Sequence, residues 1–161
     1  MTNQRRRDFF GSALVGTLAA MFVTPAAAQA PSSPRRRFIK RDAAQVNAYS
    51  QAVITEGGRT VWLAGQLAVQ DASGKSLVGD LDGQVREIFA RFRQTLEEAG
   101  GKLSDMVTMT VFLTDVRSGR RFLELRKEIF GDNFPASALI TITALAAPGA
   151  LLEIQGIAVI G

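Results

Sequence analysis

The chain has 161 residues, 47% hydrophobic and 21% charged, with no cysteine and no histidine. That composition suits one folded domain with a core and excludes disulfides, thiolate metal sites, thiol nucleophiles and every histidine-dependent triad. The net charge of +4 belongs to the N-terminal part: residues 1–42 hold eight basic and two acidic side chains, so the body from residue 43 has 11 against 13, about −2.

Residues 1–30 have the layout of an export signal. Arg5, Arg6 and Arg7 precede an apolar run from Ser12 to Val23, and Ala28-Gln29-Ala30 forms an A-x-A cleavage pattern. The run is too short for the ~20 apolar residues of a membrane-spanning helix, so no stable span is expected after cleavage. Arg6-Arg7-Asp8-Phe9-Phe10 is similar to the twin-arginine signature of folded-cargo export, with an ordinary Sec signal or an uncleaved anchor as the alternatives. The expected location is periplasmic or otherwise exported, a setting that suits a chain without thiols. Residues 31–46, with two prolines and the Arg35-Arg36-Arg37 cluster, are expected to form a flexible basic tether, and residues 47–161 the folded domain.

Tyr49–Thr55 and Thr60–Val69 have strand composition around a Glu56-Gly57-Gly58-Arg59 turn, which predicts a hairpin. Val85, Ile88, Phe89, Phe92, Leu96 and Ala99 recur at helical spacing, with Asp82 as the expected N-cap and Gly100-Gly101 as the stop. Met106–Thr114 alternates threonine with larger apolar residues, a strand pattern. Arg117–Phe130 predicts a second helix, ended by Asn133-Phe134-Pro135. Ala138–Leu145 and Leu151–Ile160 complete a ββαβαββ order. The strands are apolar on both faces, and one layer of two helices covers only one of them. Burial of the other against copies of itself is therefore expected.

Three features stand apart as candidates for chemistry. Glu153 interrupts the apolar Leu151–Ile160 run; it marks either a cleft or a wet strand face, and burial of a carboxyl tunes it toward acid–base work. Gly65, in Ala64-Gly65-Gln66, allows a ligand close to the backbone or marks a bulge or tight packing. Tyr49, the only tyrosine, either orients a ligand through its hydroxyl or simply packs.

From Asn47 to Gly161 the blocks Asn47-Ala48-Tyr49-Ser50-Gln51-Ala52-Val53, Ala64-Gly65-Gln66, Thr110-Val111-Phe112-Leu113-Thr114-Asp115, Phe134-Pro135-Ala136 and Leu152-Glu153-Ile154 stand in the order and spacing of the RidA/YjgF family, which the chain resembles. The resemblance implies an α+β, chorismate-mutase-like fold, a mixed sheet with two helices on one face, and a homotrimer with a central barrel and ligand clefts between subunits. It further implies cofactor-free, metal-free hydrolysis of enamines and imines to a carbonyl compound and ammonia. By position, Glu153 takes the role of the glutamate that handles water, while Tyr49 and Gly65 line the cleft. The arginine that grips the substrate carboxylate in active members is absent: Pro135-Ala136 is followed by Ser137 and Ala138. Exchanging a bidentate guanidinium for one neutral hydroxyl costs about 1.5–3 kcal/mol of binding. Arg120, Arg121 and Arg126 lie on the second helix, none of them at the clamp position of the family pattern.

The sequence thus indicates an exported trimer holding a small ligand, neutral or charge-satisfied by backbone groups, near Tyr49, Gly65, Ser137, Ala138 and Glu153. If it is an enzyme, it is a deaminase of altered specificity. The alternatives are a non-catalytic ligand-binding or interaction trimer and, third, an endoribonuclease-like relative. The acidic body and absent histidine speak against the last, and no nucleic-acid partner is expected.

Overall fold

The computed structural model describes residues 33–161. The signal-like segment 1–30 and the start of the tether lie outside the described residues. In chain order the elements are β1 (Arg35–Ile39), α1 (Asp42–Val46), β2 (Ala52–Glu56), β3 (Arg59–Gln66), α2 (Leu81–Glu98), β4 (Met106–Leu113), α3 (Gly119–Phe130), β5 (Ala136–Thr141) and β6 (Leu152–Ile160). From β2 onward this is the expected ββαβαββ order, an α+β fold with one mixed sheet.

The flexible tether is corrected from Arg35 onward: β1 is a strand, antiparallel to β2 with Arg37 opposite Ile54, and α1 follows it. Its anchor is electrostatic. Asp105 is buried, and the Arg36 guanidinium meets it at 2.9 Å while also donating to the Val159 carbonyl. A buried carboxylate needs such a cation, so one arginine of the cluster is structural rather than solvated. The expected hairpin is corrected as well. Gly57 and Gly58 make the turn at φ 73° and 78°, but β2 pairs with β1 and β3 pairs elsewhere.

The main sheet has the order β3-β6-β4-β5. β6 runs antiparallel to both β3 and β4, whereas β5 is parallel to β4, as the α3 crossover between them allows. α2 and α3 cover one face. Val85, Ile88, Phe89, Phe92 and Leu96 of α2 pack with Phe122 and Leu125 of α3 on Met109, Val111, Leu113, Leu152 and Ile154 of the sheet. Each such side chain contributes about 1.5–3 kcal/mol by leaving water. The N-cap of α2 is Asp80, whose carboxylate accepts from the Gly83 N–H; Asp82 instead pairs with Arg121 of α3. Gln84, fully buried, donates to the carbonyls of Leu77 and Gly149 and accepts from the Leu151 N–H. It thereby pins the loop that feeds β6.

The opposite face of the sheet is bare. Trp62 is 77% exposed and Ile140 41%, and Ile157, Thr108, Thr110, Phe112, Gln155 and Glu153 share that face through their strand registers. A shallow depression of about 190 Å³ against Trp62, Thr110 and Gln155 is smaller than the ~300 Å³ at which ligand pockets begin.

Candidate functional site

Four of the five candidate residues fall into two pairs, and the fifth, Ala138, lies on the bare face. Gly65 and Glu153 form the first. The register of β3 against β6 slips between Leu63 and Gln66, so Ala64 and Gly65 sit in a bulge. A methyl group placed on Gly65 would overlap the Glu153 carboxylate oxygen Oε1. Of the readings open for Gly65, the bulge and tight packing therefore hold, and what packs against it is Glu153. The carboxylate is half-buried on the bare face, opposite Phe112, and no ion pair among the described residues engages it. A carboxylate held against backbone, without a neutralising cation, is equipped to exchange a proton with a ligand or a water.

Tyr49 and Ser137 form the second group. Ser137 lies opposite Met109, a core residue, so its side chain points to the helix layer. Ala138, its neighbour, has the other orientation and lies opposite Thr110 on the bare face. The turn carrying Tyr49 is tied to β5: the Ser50 N–H donates to the Pro135 carbonyl, and Ser50 bridges Ala136.

Between these segments stands a residue the family pattern did not point to. Arg126 of α3 is 2% exposed. Its Nη1 donates to Ser137 Oγ at 2.5 Å and its Nη2 to the Asn47 carbonyl at 2.7 Å. The guanidinium lies over the Phe122 ring, 5.3 Å from its centroid. No carboxylate balances it among the described residues, and its Nε has no partner; neither has the Ser50 hydroxyl. Burial pushes the guanidinium down to about 10, opposed by the nearby Tyr49 phenol, so at neutral pH it stays charged. The signal available in the sequence was an arginine at the helical spacing of Phe122, Ile129 and Phe130, on a face otherwise apolar.

Within one protomer the two groups do not meet. Glu153 pairs across β4 with the level of Ile140, three residues along from Ser137 and two strands over. At ~3.3 Å per residue and ~4.8 Å per strand that is about 14 Å, with the side chains on opposite faces. No cluster of three or more acidic side chains able to hold a metal ion occurs among the described residues.

A family profile described as endoribonuclease L-PSP matches residues 40–160. The chain belongs to that family, also called RidA/YjgF. Within it the chain is similar to 2-iminobutanoate/2-iminopropanoate deaminase from Homo sapiens, 31% identical over 72% of this chain and 82% of that one. It is similar also to the protein of that name from Capra hircus, 33% identical over 81% and 94%. Among solved RidA/YjgF structures, a Rid-family protein from Yersinia pestis superposes with a TM-score of 0.66 at 28% identity, covering 78% of this chain and 98% of that one. RidA from a Psychrobacter species gives 0.58 at 32%, covering 77% and 99%. The fold expected from the RidA/YjgF resemblance is thus the fold observed.

Proposed function

We propose that this RidA/YjgF protein hydrolyses small imines or enamines at clefts between protomers of a homotrimer, after export. One observation supports the shared cleft above others: the Gly65–Glu153 group and the Tyr49–Ser137 group are too far apart, and on the wrong faces, to hold one small ligand within a chain. The bare face bearing Trp62 and Ile140 gives a second copy a surface to cover, and such packing brings one protomer's Glu153 toward another's Ser137 edge. Relatives named as iminobutanoate and iminopropanoate deaminases support the reaction class.

In this reading Glu153 takes a proton from water as the oxygen attacks the imine carbon. The imine enters protonated, so the attack gives a neutral carbinolamine, which receives that proton on nitrogen; as the C–N bond breaks Glu153 takes the proton of the new hydroxyl, the carbonyl compound forms, and ammonia leaves carrying that proton as ammonium. The Gly65 bulge fixes where the carboxylate stands, and Tyr49 orients the ligand from the neighbouring side. The test is ammonia release from freshly generated 2-iminobutanoate by the full chain. Turnover that Glu153→Gln abolishes, with particle mass unchanged, is expected; equal turnover by the variant would overturn the assignment.

A further inference from the structure

We infer that Arg126 replaces the missing strand arginine from beneath, delivering its positive charge to the ligand's anionic group through the Ser137 hydroxyl. The inference rests on the cleft proposed above and adds which side chains of this chain hold the acid group of such a substrate, where the sequence suggested a ligand neutral or charge-satisfied by backbone groups.

The geometry sets the direction of the relay. Arg126 Nη1 donates to Ser137 Oγ, so the oxygen serves as acceptor on that side. Its own proton must then point elsewhere, and no acceptor among the described residues takes it. A hydroxyl that accepts from a cation is a stronger donor than a free one, because the charge polarises the O–H bond. Ser137 is half-buried at the start of β5, next to the exposed Ala138, whereas Arg126 is buried.

Burial of an unbalanced guanidinium is costly, and proteins that tolerate it normally supply a carboxylate. Here the companions are two neutral oxygens and the Phe122 ring, with Nε unpartnered and the Ser50 hydroxyl unpartnered. These unmet groups belong to the seam between the Asn47–Ser50 turn and the start of β5, beside Tyr49. An anion held at Ser137 supplies the balancing charge at one hydroxyl's remove. The one side chain to which this guanidinium donates among the described residues is the residue at the family's clamp position.

The test compares binding of 2-oxobutanoate and its neutral amide, 2-oxobutanamide, to the full chain by NMR titration. The acid should bind roughly tenfold tighter than the amide, the fold-change of one charge-assisted hydrogen bond. Ser137→Ala should bring that ratio below about threefold by weakening the acid more than the amide, and Ser137→Thr should preserve it. Arg126→Met should act like Ser137→Ala if it folds; if it does not, the serine pair decides. An equal affinity of the parent for the two compounds, including no binding of either, overturns the inference. So does a Ser137→Ala chain that keeps the full preference, or a folded Arg126→Met chain that does. An acid preference without imine hydrolysis leaves the inference standing and removes the catalytic reading instead.

Discussion

The Gly65 backbone and the Glu153 carboxylate are in such close apposition that hydrogen is the only side chain position 65 can accept without moving the acid. The obstacle to a methyl group is the far end of a flexible side chain, not backbone. Gly65→Ala should therefore cost less than about 1 kcal/mol of stability while displacing the carboxylate from its station. The measurement is paired: an unfolding curve close to the parent's, and loss of imine hydrolysis close to that of Glu153→Gln. A variant that retains full turnover would show that the carboxylate's position is irrelevant.

The bare sheet face should control association. Trp62 stands 77% exposed beside Ile157. Trp62→Glu places a charge where a copy is expected to pack, and light scattering should report a fall from trimer to monomer mass. If the mass stays trimeric, copies meet through another surface.

Arg126 and Ser137 should be energetically coupled. Ser137→Arg alone sets a second guanidinium beside the first, with no carboxylate between them, and should lower the melting temperature. Combining it with Arg126→Met should recover much of that loss, giving a coupling energy of about 1–3 kcal/mol in a thermodynamic cycle. Additive effects would mean that the two positions do not share one space.

The contact between the helices is pH-dependent. The Arg121 guanidinium hydrogen-bonds to Asp82 and holds its carboxyl below the usual carboxylate range. A depressed folded-state value means that the contribution is present above the unfolded value, near pH 4, and is lost as pH falls through the folded one. Asp82→Asn should thus lower the melting temperature modestly at pH 7 and make no difference at roughly pH 2. A difference that persists in acid would point to a cause other than charge.

Much of this was readable from periodicity. The α2 face formed by Val85, Ile88, Phe89 and Phe92, and the strand pattern of β4, depend on local spacing, and the structure follows them. Pairing depends on what is distant and is not written in local spacing: β2 pairs with β1, whose Arg36 is held by Asp105, some seventy residues downstream. The cap at Asp80 rather than Asp82 was lost between two carboxylates two residues apart. At the site, Glu153 stood out as an acid among apolar neighbours, and Gly65 as a break in a strand. Arg126 is harder to see: it shares a helix face with Phe122, Ile129 and Phe130, yet an arginine on an amphipathic helix is ordinarily solvated. Only the packing of α3 on β5 shows where its charge ends up.

Because Glu153 and Ser137 work from different chains in this arrangement, two damaged proteins can repair one another. If Glu153→Gln and Ser137→Ala chains are unfolded together and refolded, about a quarter of the clefts in randomly assorted rings inherit both sound halves. Turnover of an acidic imine should then exceed the average of the two parents refolded apart. Subunit mixing of this kind gives no such gain when every working group of a cleft comes from one chain.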